Sequence, residues 1–150
     1  MNKSLDDAKN ELKRVDHLLY VSLKYTRTVD VLKSIIERMI TCFDFGFIAI
    51  LKKVKRRRKT LEVPTQPRKR CDVLKEIFPK DEKLIKFVDF YLLLRDLSQA
   101  KYTRREEYRR HVTMIADLGK EEPFEVNIDV LYEWHEKMKL FIEYLEEEVS

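Results

Sequence analysis

The stretch LKSIIERMITCFDFGFIAIL, residues 32–51, is the most apolar part of the 150-residue chain and decides its fold class. Its apolar residues recur at spacings of three and four and form one wide face, which comprises Leu32, Ile35, Ile36, Met39, Ile40, Phe43, Phe47, Ile48 and Leu51. That spacing is typical of a helix, and a helix this apolar touches neighbours on several sides. The pattern therefore predicts a central helix that begins near Thr28.

Three further apolar stripes surround this helix in sequence. The first predicts a helix from an N-cap at Ser4 to about Tyr25, and the next follows Pro79, with Leu84, Val88, Tyr91, Leu94 and Leu97 as its stripe. The last stripe consists of Leu131, Trp134, Met138, Phe141 and Leu145, behind an N-cap at Asn127. A single helix from Ser4 to Lys55 would be roughly 78 Å long, so we expect a turn between Tyr25 and Thr28.

Composition favours helices throughout the chain. Only Gly46 and Gly119 are glycines, and tight turns between strands depend on glycine. We therefore expect an all-α fold of one domain, 1–150: an antiparallel four-helix bundle with a short extra helix, Cys71 to Phe78, in the long connection after the second helix. The abundance of Lys and Glu, with few amides, is typical of thermophile proteins.

The segment KYTRREEYRRHVTM, residues 101–114, contains a Thr-x-x-Glu capping box at Thr103 and Glu106. It predicts a helix that restarts there and runs to about Asp117, before a loop marked by Gly119 and Pro123.

Charge is segregated although the net charge is only +4. Between Lys52 and Arg70 there are ten cations and one acid, whereas residues 121–150 contain ten acids and two lysines. The cations are Lys52, Lys53, Lys55, Arg56, Arg57, Arg58, Lys59, Arg68, Lys69 and Arg70, and residues 56–70 form a basic linker with two prolines. Such a cluster is typical of nucleic-acid binding, unless the acidic last helix lies against it and cancels it.

Residues 104–111 suggest a second kind of site. On the predicted helix, Arg104 and His111 share one face with Tyr108 between them, and Arg105 and Arg109 form the adjacent ridge, with Arg110 beside it. A guanidinium binds phosphate through two hydrogen bonds, and an imidazole exchanges protons near neutral pH. The alternatives are a phosphate-binding face without catalysis and a solvated surface whose acids and arginines pair with each other.

An arginine followed by four to six residues and a histidine, late in a small helical bundle and before its last helix, resembles the HEPN superfamily. The motif is RREEYRRH, with Arg104 or Arg105 and His111, although the residue after the arginine is not the usual Asn or Asp. The resemblance implies a helical bundle, often dimeric, that acts as a metal-independent ribonuclease or as a binding module. His111 would then act as general acid or base, Arg104 or Arg105 would stabilise the phosphoryl charge, and Tyr108 would orient either one.

We therefore expect a homodimeric cytoplasmic module that binds RNA or another polyanion, with no metal, cofactor or membrane segment. The alternative is a non-enzymatic scaffold that binds a partner protein. His17 and His135 are interpreted as packing or helix-flank residues, and Cys42 as a core residue. Asp44 stands in an apolar run, so we expect it to pair with a basic side chain across the bundle.

Overall fold

The computed structural model describes residues 2–149, which form five helices and one small sheet. Helix α1 spans Lys3–His17 and continues through a π-helical turn, Leu18–Ser22, into a final turn, Leu23–Tyr25. The other helices are α2 (Val29–Arg57), α3 (Pro67–Ile77), α4 (Glu82–Gln99) and α5 (Ile128–Val149). Strands β1 (Lys101–Arg105), β2 (Thr113–Asp117) and β3 (Phe124–Asn127) lie between α4 and α5 in the chain.

Successive long helices run in opposite directions. Helix α1 is antiparallel to α2, because Ser4 lies beside Lys52 and Ala8 beside Cys42. Helix α5 runs parallel to α2, and it is antiparallel to α4 through the Tyr144–Asp81 hydrogen bond and the Trp134–Phe90 ring contact. The mostly helical architecture predicted from the sequence is confirmed.

The predicted central helix is α2. Its apolar face is buried between α1, α4 and α5, and the side chains of Phe43 and Phe47 are fully enclosed. The ring centroids of Phe43 and Phe141 are 4.4 Å apart, which joins α2 to α5 at the centre of the core. Gly46 makes this approach possible, since a Cβ there would lie 2.5 Å from the Phe141 ring.

Asp44 has the basic partner that the sequence predicts. Its Oδ1 accepts a hydrogen bond of 2.9 Å from Arg70 and one of 2.5 Å from the hydroxyl of Tyr91. Arg70 also donates to the carbonyl oxygen of Thr65, at 3.0 Å, so one guanidinium joins α3 and the preceding loop to α2. Burial, reinforced by the bond to Asp44, raises the pKa of Tyr91 well above its ordinary value.

The all-α prediction is wrong for residues 101–127, which form a three-stranded antiparallel sheet in the order β1-β2-β3. Thr103 faces Ile115 in the first pair of strands, and Ile115 faces Glu125 in the second. Val112, Met114 and Ala116 are fully buried at alternate positions, the periodicity of a strand with one face on a core. The capping-box pattern at Thr103 is accidental, because residues 103–111 contain no apolar stripe that a helix could bury.

Several helix ends differ from the predicted ones. Asn2, rather than Ser4, caps α1, and α3 begins at Pro67 rather than Cys71, because proline is well suited to a first helical turn. Thr28 caps α2 and Asn127 caps α5, as the sequence predicts. No helix within residues 2–149 has the length and apolar character needed to cross a membrane.

Candidate nucleic-acid interface

The C-terminal end of α2 carries the densest positive charge in the structure. Lys55, Arg56, Arg57, Arg58 and Lys59 are consecutive and exposed, and none has a carboxylate partner among residues 2–149. We call these five residues the cation cluster. The negative end of the α2 dipole lies beside them, and its attraction for cations offsets part of their mutual repulsion.

The other predicted binding cations are mostly engaged within the protein. Arg70 is buried against Asp44, and Arg68 pairs with Asp96 at 2.8 Å. Lys52 lies 3.4 Å from the hydroxyl of Ser4, while the ammonium of Lys53 donates to the main-chain oxygen of Glu148. Lys69 is exposed. The sequence could not separate the free cations from the engaged ones, because that distinction depends on which acids the fold brings near.

The acidic last helix covers the basic segment only in part. The carboxylate of Glu146, near the end of α5, lies 3.3 Å from Lys9 of α1, not from the cation cluster. Closer to the cluster, the main-chain oxygen of Glu148 accepts a hydrogen bond from Lys53, and Glu148 also lines a groove together with Arg57 and Arg58. None of the five cations therefore forms an ion pair within the described chain, although Glu148 lies in the groove beside two of them.

A groove of about 340 Å³ lies beside the cation cluster, between the ends of α2, α3 and α5. Ile50, Val54, Ile77 and Phe78 supply its apolar wall, while Arg57 and Arg58 line its basic side. We call this feature the end groove. The sequence does not reveal it, because Phe78, just after α3, and Tyr144, on α5, are far from the arginines in sequence.

The predicted catalytic residues lie on strand β1 and on the turn that follows it, so they do not share a helix face. Arg104 is held by two acids: Nη1 lies 3.0 Å from Glu107 and Nη2 lies 3.0 Å from Asp30. Hydrogen bonds to Glu107, and then to Asp30, raise the pKa of Arg104 above its ordinary value. Glu107 also accepts from the backbone N–H of Val29, which is the first residue of α2. Arg104 thus holds in place the carboxylate that caps the first turn of α2.

Of the three neighbouring arginines, two form ion pairs with acids and one is unpaired in the described chain. Arg105 reaches across β2 to Glu125, and Arg110 pairs with Asp129 on α5 at 2.8 Å. Arg109 is exposed, and its side chain has no partner within the described residues. Internal pairing therefore occurs, but mostly with acids from other elements rather than with the neighbouring glutamates that a helix would offer.

His111 and Tyr108 are both on the surface of the β1–β2 turn. The imidazole of His111 is exposed and has no hydrogen-bond partner in the described chain, whereas the His111 carbonyl accepts from Thr113. Tyr108 is 77% exposed and has a positive φ of 65°, a conformation that bulky residues rarely adopt. Its backbone N–H donates to the carbonyl of Arg27, which fastens the turn to the chain just before α2.

The two predicted sites lie at opposite ends of the molecule. The β1–β2 turn contacts the first residue of α2, and the cation cluster begins in its last turn. A helix of 29 residues extends for about 43 Å at 1.5 Å per residue. The structure therefore does not join the arginine–histidine motif and the basic segment into one surface.

His135 and Cys42 both lie in the interior, where they hold the structure together. His135 is buried and bridges α5 to α1, with Nε2 against the carboxylate of Asp16 and Nδ1 3.5 Å from the hydroxyl of Tyr20. Cys42 is a core residue, as predicted, and burial raises its pKa well above the ordinary value. Within residues 2–149, no three His, Cys, Asp or Glu side chains are grouped so that they could ligate a metal ion.

No family model, curated protein or solved structure matches the chain.

Proposed function

We propose that this protein binds RNA through the sugar-phosphate backbone, and that the cation cluster at the end of α2 makes the contact. The observation that carries the proposal is that the five side chains are exposed and have no carboxylate partner among residues 2–149. Consecutive unpaired cations attract a polyanion and release its condensed counterions on binding. No aromatic residue interrupts the cluster, so this contact is directed to phosphates.

A triple variant tests the proposal. Lys55→Ala, Arg56→Ala and Lys59→Ala together remove three cations and leave both groove arginines in place. We expect RNA affinity near 0.1 M salt to fall roughly tenfold or more, measured by fluorescence anisotropy with a labelled single-stranded RNA. The matched control replaces Lys24, Lys101 and Lys120, three exposed lysines outside the cluster, by alanine.

Because both variants lose the same charge, their difference reports position rather than net charge. The proposal requires the control to retain most of its affinity. An equal loss in both variants would mean that RNA is attracted by the overall charge and not by the cluster.

Ribonuclease activity is the second candidate, and one observation favours it: the imidazole of His111 is exposed and without a partner in the described chain. Arg109, two residues earlier, is the nearest unpaired arginine in sequence. In the HEPN-like mechanism the imidazole exchanges a proton with the attacking 2′-hydroxyl or the leaving group, and the guanidinium stabilises phosphoryl charge. Dimerisation is part of the same prediction.

Incubation of the purified protein with RNA in chelator distinguishes the two candidates. Binding without cleavage, unchanged in His111→Ala, supports the backbone-binding proposal. Cleavage that persists in chelator and disappears in His111→Ala would establish the ribonuclease instead. A partner-binding scaffold is indicated if neither cleavage nor salt-dependent binding is found.

A further inference from the structure

The end groove adjoins the cation cluster and offers a different chemistry. Arg57 and Arg58 belong to both features, so a ligand that contacts these guanidinium groups reaches the mouth of the groove. Ile50 and Val54 from α2 and Ile77 from α3 form an apolar wall, and the rest of the lining is mostly charged. Its volume of about 340 Å³ lies at the lower end of the roughly 300–1,000 Å³ of small-molecule sites.

Phe78 contributes an aromatic ring to the lining of the groove. It follows the last residue of α3, where its backbone N–H donates to Leu74 and its carbonyl accepts from Asp81, so the main chain is fixed on both sides. The ring is half-buried and lines the groove, and it stacks on no other aromatic ring within residues 2–149. By contrast, the hydroxyl of Tyr144, across the groove, is held by Asp81 at 2.6 Å.

A groove with an aliphatic wall, the half-buried ring of Phe78 and two guanidinium groups fits a flat ring attached to a phosphate. A nucleotide within a strand has this composition, because its base can stack on an aromatic side chain while the phosphate contacts arginine. Glu148, the acid that lines the groove, repels phosphate and can accept a hydrogen bond from an amino group of a base. The phosphate therefore belongs on the arginine side.

We propose that the end groove receives one base of the bound RNA strand, stacked on Phe78, while Arg57 and Arg58 hold the adjacent phosphates. This inference rests on the proposed RNA backbone contact and extends it from a charge interaction to a base-dependent one. Recognition by stacking tolerates different sequences, since every base has a π-face.

The test compares two single-stranded RNA oligonucleotides of equal length, one normal and one in which every base is absent. Both present the same phosphates, so the ratio of their affinities isolates the contribution of the bases. For the unmodified protein we expect the normal strand to bind at least about fivefold more tightly, the lower limit for a stacked base. Fluorescence anisotropy at a fixed salt concentration measures both affinities.

Three variants assign the effect to the ring. Phe78→Leu keeps apolar volume and removes the π-face, so the ratio should fall towards one while the abasic strand binds as before. Phe78→Tyr retains a ring and should restore the ratio. Phe124→Leu, at the opposite end of the molecule, is the matched control for a half-buried phenylalanine and should leave the ratio unchanged.

The outcomes separate the two proposals. If neither strand binds in a salt-dependent manner, the backbone contact itself is absent and both proposals fail. If both strands bind equally to the unmodified protein, the groove proposal is overturned and the backbone contact stands. A ratio that Phe78→Leu leaves intact would place base recognition elsewhere, which also overturns the groove proposal. The circular dichroism spectrum and thermal unfolding of Phe78→Leu check that this variant is folded.

Discussion

At the scale of single residues, Gly46 is a position where the core leaves no room for a side chain. Alanine has the higher helix propensity by about 1 kcal/mol, yet its Cβ would lie 2.5 Å from the enclosed ring of Phe141 and 2.8 Å from Leu145. Overpacking of this kind costs about 1–3 kcal/mol. We therefore expect Gly46→Ala to lower the free energy of unfolding despite the gain in propensity, as measured by urea titration.

Ser34→Ala provides the control for this substitution, because Ser34 is exposed on the same helix. It should be neutral or slightly stabilising. Equal stability of Gly46→Ala and the unmodified protein would show that α2 and α5 can move apart without cost.

Asp44 is the residue at which sequence reasoning was most specific. An isolated acid in an apolar run required a basic partner, and Arg70 is that partner. The identity of the partner was not predictable, because the segment from Lys52 to Arg70 offers ten cations of similar character and local sequence does not show which one the fold buries. Arg70 is also one of the ten cations for which the sequence predicts nucleic-acid binding.

Removal of the carboxylate should be costly. Asp44→Ala leaves the guanidinium of Arg70, whose side chain is 8% exposed, without its counter-charge, and breaking such a pair costs about 3 kcal/mol or more. Chemical denaturation should show this loss. Asp72→Ala, which removes an exposed acid from α3, should change the stability little, and a similar loss in both variants would contradict a specific role for Asp44.

At the scale of elements, the four long helices were predictable because each carries an apolar stripe with helical period. The sheet was missed because residues 101–110 are mostly charged and match a capping motif, while the period-two signal is confined to two short runs, 112–116 and 124–128. A strand needs burial on only one face over a few residues, so its sequence signal is short. The positive φ of Glu106 and Tyr108 likewise has no clear mark in the sequence.

The β1–β2 turn stabilises the first turn of α2. Glu107 accepts from the N–H of Val29 at 3.1 Å and pairs with Arg104, so it acts as a second cap beside Thr28. We expect Glu107→Ala to cost about 1 kcal/mol, as for a lost N-cap, and to accelerate amide exchange at Val29. Glu121 is an exposed acid in a loop, so Glu121→Ala should change neither the stability nor the exchange rate at Val29. Equal protection of the Val29 amide from exchange in the two variants would rule out the capping role.

Two buried tyrosine hydroxyls make the stability of the fold depend on pH in the alkaline range. Burial raises the pKa values of Tyr91 and Tyr144 above their ordinary value near 10, and each also donates a hydrogen bond to a carboxylate, on Asp44 and Asp81. Because the folded state holds these protons more tightly, this stabilisation is fully present below about pH 10. It is lost as the pH rises above that value, where the unfolded chain ionises first.

The double variant Tyr91→Phe, Tyr144→Phe has no hydroxyl to ionise at these sites. We expect it to lose less stability between pH 9 and pH 11 than the unmodified protein does, although it is less stable at neutral pH. Chemical unfolding at several pH values measures this. Parallel curves for the two proteins would show that the tyrosines do not contribute to alkaline unfolding.

At the scale of the whole molecule, the sequence revealed that charge is segregated but not how it is distributed in space. The cation cluster and the arginine–histidine motif are 45 residues apart in sequence, between Lys59 and Arg104, and the length of α2 places them at opposite ends. Much of the motif's positive charge is also neutralised, because three of its arginines form ion pairs: Arg104, Arg105 and Arg110. The cation cluster is consequently the larger free positive surface among the described residues.

The salt dependence of RNA binding tests this cluster most directly. For a single strand the slope of log K against log salt concentration is about −0.7 per phosphate contacted, so five cations predict a slope near −3.5. The variant with Lys55, Arg56 and Lys59 replaced by alanine should show a slope shallower by about 2. A slope near zero for the unmodified protein, or equal slopes for the two proteins, would contradict a phosphate contact at the end of α2.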